Sequence, residues 1–526
     1  MRGVLGGRRG SRWTAGGVVG ALLAMGLAAC SSGDDDAGED GGPDEPAEEE
    51  TTVRTRPDGP AAEFGGPLEG GNGIWLASAG GGPPLDEAGF EEAEFTASGT
   101  AVSYTSEGEL PADGSFSLTP GDEADFTTRV VVRRPSDPAA SNGTVVMEWL
   151  NVSSGADANP DYTYLAAELL RGGYTWVGVS AQRIGVEGGE VAVAVPGSEG
   201  LGLGSGLRGQ DPERYGDLSH PGDAFAYDIF TQVGRGLLAA GSSSGSGGGS
   251  VDPLGGIEVE RLLAVGESQS GFTLTTYVNG VQPLTELFDG FLVHSRGGSA
   301  APLGEPGAGI GIADAIGGTP TTIRTDGDAP VIVIETETDL LGILNYLPAR
   351  QDDAERFRLW EIAGTAHADR FQVGEMEDML GCSQPINRGQ QVFVLRAALR
   401  ALDAWAADGT APPEAPRLDV DESGAAPAFV LDDNGMATGG VRTPVVDAPV
   451  DVLTGASPEG SSIVCLLMGA TTPLPPERLA ELYTSADDYT AQYEAATDAM
   501  IEAGFAVPED RDEILADADP TRVTGG

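Results

Sequence analysis

Leu262-Leu263-Ala264-Val265-Gly266-Glu267-Ser268-Gln269-Ser270-Gly271 is the stretch on which the fold of this chain turns. An apolar run ends in a glycine, a serine stands two residues on, and helix-like text begins at Phe272. A buried strand that runs through a sharp turn into a helix is written this way, and a serine on such a turn has its hydroxyl lifted clear of the sheet as a nucleophile. Two serines compete for the position, and backbone crowding chooses between them. The residues two before and two after the nucleophile must be small. Around Ser268 these are Gly266 and Ser270. Around Ser270 they would be Ser268 and Phe272, and the phenylalanine would clash. Ser268 is therefore the expected nucleophile.

Outward from this turn, strand and helix signals alternate. Phe95 to Ser106 and Phe126 to Arg134 alternate in polarity as strands do, and Thr144 to Leu150, Tyr174 to Ser180, Phe288 to His294, Pro330 to Ile334 and Phe357 to Ile362 read as buried strands. Pro160 to Arg171, Asp223 to Ala240 and Gln390 to Ala407 carry helical spacing, and a helical tail covers Pro476 to Gly504. This alternation predicts an α/β fold with a mostly parallel sheet covered by helices on both faces. Residues 296–328 are Gly-rich and weakly periodic, in the place of a lid-like insertion. The core is expected over residues 66–409, with residues 410–526 as an extension packed on it.

A serine hydroxyl needs a base within hydrogen-bond reach, and that base needs an orienting carboxylate. The chain has 3 histidines. His367 follows the last apolar strand in a loop and lies downstream of both the serine and an acid candidate, so it is the expected base. His294 closes a strand, where a structural hydrogen bond is the usual role, and His220 has the look of a loop or cap residue. The acid comes from Glu335-Thr336-Glu337-Thr338-Asp339 after a buried strand. Asp339 is favoured because the acid follows its strand by a few residues; Glu337 is the alternative, and Glu335 still falls within the strand. The developing oxyanion needs backbone donors. Gln269 N–H at the start of the nucleophile helix is one, and the loop after Leu150, Asn151 and Val152 first, is the expected source of the other. Asp228 is expected as a helix-surface carboxylate or an electrostatic support of the site. Arg296 could bind a substrate carboxylate or a structural carbonyl.

These segments together resemble the bacterial alpha/beta hydrolase domain-containing family of exported hydrolases. The likeness is carried by EWLN at 148–151, RYGDLSHPGDAFAYDIF at 214–230, GESQSG at 266–271, ETETD at 335–339, WEIAGTAHAD at 360–369, the segment Cys382 to Asn387, and Val464-Cys465 with the tail to Phe505. It spans roughly residues 90–515. The resemblance implies an α/β-hydrolase fold and the triad Ser268, Asp339 or Glu337, His367, and leaves the substrate open. The expected activity is hydrolysis of carboxylic esters without a cofactor or metal; a non-catalytic, surface-anchored binding protein and an amide or peptide hydrolase are the alternatives. Glu267 inside the turn departs from the apolar or aromatic residue expected there and predicts a bias against anionic substrates.

The N-terminus resembles a bacterial lipoprotein signal over residues 1–29. Arg2, Arg8, Arg9 and Arg12 precede a short apolar run from Val18 that ends Leu27-Ala28-Ala29-Cys30, which predicts lipidation of Cys30 and an extracytoplasmic, membrane-anchored protein. Residues 30–65 open with a strongly acidic stretch and are expected to form a disordered tether. Cys382 and Cys465 remain, and in an exported protein they are expected to be joined. The net charge is −53, and every one of the 29 basic residues is arginine. Such a surface repels nucleic acid and anionic headgroups, so nucleic acid is excluded as a partner and membrane contact is expected through the lipid alone.

Overall fold

A computed structural model describes residues 56–77, 82–194, 200, 202–242, 251–458 and 460–523. The expected signal segment, Cys30 and most of the expected tether lie outside these residues. Nine strands form one sheet: β1 (Glu63–Gly65), β2 (Phe90–Ser106), β3 (Leu118–Pro135), β4 (Thr144–Trp149), β5 (Thr175–Val179), β6 (Arg261–Glu267), β7 (Gly290–His294), β8 (Val331–Thr336) and β9 (Phe357–Ile362). Their order is β1-β2-β3-β5-β4-β6-β7-β8-β9. From β5 to β9 all pairs are parallel, while β1, β2 and β3 join antiparallel. Strands β4, β5, β7, β8 and β9 are buried along their whole length, as an apolar run covered on both faces must be. Helix Gln391–Asp408 packs on β6, β7 and β8, and helix Ala226–Gly241 on β2.

The chain leaves β4 for β5 on one side and reaches β6 on the other, so the strand order reverses at β4. A crevice opens at such a reversal, outside the carboxyl ends of the strands. The ends of β4, β6, β7, β8 and β9 carry Asn151, Ser268, Ser295, Asp339 and His367 into that region.

Several boundaries differ from the sequence expectation for physical reasons. Strand β2 begins earlier, at Phe90, and β3 runs longer at both ends. Glu91 and Glu92 stand directly opposite Arg134 and Arg133, and the ion pairs, 2.7 and 2.6 Å, extend the ladder through residues that carry no apolar signal. The segment Asp223 to Ala240 opens with a 3-10 turn, Asp223–Phe225, because the Asp223 carboxylate accepts from Arg183 N and Ile310 N instead of joining a regular helix start. The C-terminal tail breaks into Pro476–Leu482 and Ala486–Glu502 where Ser485 caps the second helix, accepting from Asp488 N. The tether expected to run to residue 65 is corrected over its last ten residues: Arg56 donates to Leu287 O at 2.8 Å, and Glu63–Gly65 pairs with β2.

Residues beyond 410 build part of the site's support. Val441 bridges to Ile362 at the end of β9, Ala363 N donates to Val441 O at 3.0 Å, and the Phe505 ring meets Trp360 edge-on at 5.0 Å. Cys382 and Cys465 form a disulfide across a sequence separation of 83. It sits in a small apolar cluster with Val373, Leu380, Ile386, Met468 and Ala368, the residue that follows His367. Among the described residues no helix is long and apolar enough to cross a membrane.

Candidate active site

Ser268 holds φ 59° and ψ −120° between β6 and helix Gln269–Thr276. A left-handed φ is costly for a residue with a side chain, of order 1–3 kcal/mol, and persists only where the surroundings enforce it. Here Ser268 N–H donates to His294 O at 3.0 Å, and Ser268 O accepts from Phe272 N at 3.1 Å. The turn is tight: a Cβ added at Gly266 would lie 3.0 Å from the Ser270 Cβ.

The Ser268 Oγ lies 2.9 Å from His367 Nε2, and His367 Nδ1 lies 2.7 Å from Asp339 Oδ1. The three expected residues, brought from the ends of β6, β8 and β9, form one hydrogen-bonded row. Asp339 lies in the first turn of the short helix Glu337–Leu341 after β8, where Thr336 and Asp339 cap each other's backbone. Its Oδ2 accepts from Thr336 N at 2.8 Å, Thr336 Oγ1 at 2.7 Å and Ser295 Oγ at 2.8 Å. Burial acts to raise the Asp339 pKa, but the His367 ring and the Thr336 donors outweigh it and hold the carboxyl below its ordinary value. Burial acts to lower that of His367, and the carboxylates of Asp339 and then Glu267 overcome it, leaving the imidazole above its ordinary value. Thr336 and Ser295 were not singled out from sequence. The T-x-x-D spacing of a capping box was the available signal for Thr336; nothing local marks Ser295.

Glu337, the alternative acid, is turned away from His367. It accepts from Gly364 N at 2.6 Å and Gly455 N at 2.8 Å, and so ties the His367 loop to the C-terminal segment. Glu335 is buried within β8.

The expected oxyanion donors divide. Gln269 is the first residue of its helix, where N–H groups have no intrahelical partner and the helix dipole favours negative charge. Asn151 is a correction: its N–H is spent on Ala158 O at 2.9 Å, and its side-chain amide donates to Glu267 O at 3.0 Å. It braces the turn instead of facing an oxyanion. Val152 N–H points at the Gln269 side chain, with Oε1 at 3.3 Å. Gln269 Nε2 donates in turn to Gln182 Oε1 at 2.7 Å, and Gln182 Nε2 to Asp223 Oδ2 at 3.1 Å. This amide row, invisible in the sequence, connects the donor loop to the 296–328 segment through Ile310 N, which donates to Asp223.

The remaining candidates are structural. His294 Nδ1 lies 3.0 Å from Asp161 Oδ1, and His220 Nε2 lies 2.8 Å from Ala181 O. Arg296 is fully buried and donates to Thr275 Oγ1 and Thr321 O, which assigns it to anchoring the 296–328 segment. Asp228 is corrected from a surface carboxylate to a buried one that accepts from Val102 N at 2.9 Å and Gln232 Nε2 at 2.7 Å. Beside the Val152 and Gln269 donors lies a cavity of about 190 Å³, walled by Arg183, Ile184, Glu190 and residues 309–314.

The model of the alpha/beta hydrolase domain family matches residues 64–516. The chain belongs to that family. A hydrolase of this family places its chemistry on the strand-to-helix turn and the loops at the carboxyl ends of the sheet, which is where the Ser268 row lies. Among solved structures, a lid-less α/β serine hydrolase of Xanthomonas campestris is 13% identical, with a TM-score of 0.26 over 54% of this chain and 90% of that one. A glucuronoyl esterase from Solibacter usitatus is 9% identical, with a TM-score of 0.27 over 59% and 84%. A rice cell wall degrading esterase from Xanthomonas oryzae is 16% identical, with a TM-score of 0.21 over 39% and 42%. No substrate passes to this hydrolase from likenesses at that level. A search of curated proteins returned no match.

Proposed function

We propose that this hydrolase cleaves carboxylic esters through an acyl-enzyme, with Ser268 as nucleophile, His367 as proton carrier and Asp339 as its orienting acid. The observation that carries the proposal is the Oγ–Nε2 and Nδ1–Oδ1 row, 2.9 and 2.7 Å, mounted on a strained turn. Ser268 Oγ attacks the carbonyl carbon as His367 Nε2 takes its proton. The oxyanion is received by Gln269 N–H, joined by Val152 N–H once the Gln269 amide moves off it. The tetrahedral species collapses with cleavage of the bond to the alcohol oxygen, which takes the proton from Nε2. Water then repeats the sequence on the acyl group, with Nε2 again as base. Purified protein is expected to turn over short neutral p-nitrophenyl esters; a folded protein inert toward a broad ester panel would favour the non-catalytic binding role.

The same protein is proposed to be exported and lipid-anchored through Cys30. Support comes from the arginine-led apolar run ending Leu27-Ala28-Ala29-Cys30 and from the Cys382–Cys465 disulfide, which suits an oxidising compartment. Cys30→Ser should move the protein from the membrane fraction to the soluble one; membrane retention by the variant would remove the anchor.

A further inference from the structure

Glu267 is a carboxyl beside the catalytic base that the row from serine to acid leaves unused. It is the last residue of β6, 4% exposed, and stands opposite His294 in the β6–β7 ladder. Its Oε1 lies 3.6 Å from His367 Nε2, the nitrogen that faces Ser268. The His367 ring therefore has a carboxyl at each edge: Asp339 at Nδ1, held by three further donors, and Glu267 at Nε2, to whose side chain no described residue donates a hydrogen bond.

That position is where chemistry brings the substrate. Nε2 must hand its proton to the departing alcohol oxygen, which then sits within about 3 Å of it. A leaving group is thus brought to within about 7 Å of Oε1 whatever its identity. At such a separation in a site screened from water, a second negative charge costs enough to change a rate constant by an order of magnitude.

We propose that Glu267 is the charge selector of this site, admitting esters whose alcohol portion is neutral and rejecting those that carry an anionic group on it, and that it does so only when ionised. The selector role rests on the ester hydrolysis proposed above. Its proton dependence has a physical source. Burial raises the Glu267 pKa, opposed by His367 and His294 and reinforced by Asp161 and Asp339, and the balance leaves it at about 7. The groups around it come from four elements: His294 from β7, Asp161 with the Tyr164 hydroxyl from helix Pro160–Gly172, Asp339 from the turn after β8, and His367 from the loop after β9. With its pKa raised, Glu267 is neutral on the acid side of about 7 and charged on the alkaline side. Rejection of anions should then appear as pH rises through that value. Glu267 also contributes to the raised pKa of His367, so it is a positioning residue for the base as well as a selector.

The test uses the acetates of 4-nitrophenol and of 3-carboxy-4-nitrophenol, whose added carboxylate is ionised throughout pH 5.5–8.5. The measured quantity is the ratio of kcat/KM for the neutral ester to that for the anionic one. Both esters need neutral His367, so its titration cancels in the ratio. The ring carboxylate stands farther out than the ester oxygen, so the wild-type ratio should rise about tenfold across the interval, the size that unit charges roughly 12 Å apart supply at an effective dielectric of about 20. In Glu267→Gln the ratio should be low and flat, and the acid limb of kcat/KM for the neutral ester should move to lower pH. Circular dichroism and melting establish that the variant is folded; Glu267→Asp, which keeps the charge, should restore a rising ratio. A ratio that is flat in the wild type, or that rises equally in Glu267→Gln (as it would if His294 were the titrating group), overturns the selector while leaving ester hydrolysis intact. Absence of wild-type turnover of the neutral ester overturns both.

Discussion

Ser268→Ala is expected to lower kcat/KM for neutral esters by at least about 10⁴-fold, with no loss of fold. In other hydrolases, removal of the nucleophile erases all but the residual contribution of oxyanion binding and substrate positioning. The structural cost is small. Among the described residues the hydroxyl's only hydrogen bond is the one to His367 Nε2, so alanine removes that one bond and keeps the turn. Alanine inherits the φ of 59°, so melting should stay close to the wild type. Assays with p-nitrophenyl acetate, paired with a thermal melt, check both halves. Retained turnover by a variant free of wild-type contamination would eliminate Ser268 as nucleophile.

Asp339→Asn is the second large effect, expected at about 10³- to 10⁴-fold in kcat. The direction follows from which oxygen is replaced. Oδ2 accepts from Ser295 Oγ, Thr336 N and Thr336 Oγ1, so the asparagine carbonyl must take that position. The amide NH₂ is then forced to the Oδ1 position, facing His367 Nδ1 across what is now a 2.7 Å contact. Two donors cannot share that contact. His367 either turns or adopts the tautomer with its proton on Nε2, which cannot accept the Ser268 proton. Loss of the carboxylate also removes the main influence holding the His367 pKa up, so the acid limb of the residual activity should move to lower pH. Glu337→Gln, at a carboxylate that accepts from two backbone N–H groups and meets no imidazole, should leave that limb where it is. A larger loss and a moved limb at Glu337 would exchange the roles of the two acids.

The row of three side chains was legible in the sequence because each member follows a buried strand within a few residues. An apolar run fixes the strand, the strand's carboxyl end fixes the region, and the scarcity of histidine fixes the base. The choice between Asp339 and Glu337 was open until their partners were visible: Thr336 and Ser295 around one, Gly364 and Gly455 around the other. Asn151 was misread because a backbone N–H looks the same in sequence whether free or paired, and only its bridge to Ala158 shows it spent. Asp228 was misread because its backbone partner, Val102, lies 126 residues away. Arg296 needed Thr275 and Thr321, from a helix and a loop, before its anchoring role was apparent. The common cause is long-range satisfaction of buried polar groups, which local pattern does not encode.

The most direct measurement is the mass of the folded protein, and then of its peptides, after exposure to a small neutral fluorophosphonate. An activated serine displaces fluoride and retains the phosphonyl group, whatever the natural ester. A single adduct is expected, on the peptide that contains Ser268, formed in the wild type and absent from Ser268→Ala. No adduct on the folded wild type, or an adduct on a different serine, would contradict it.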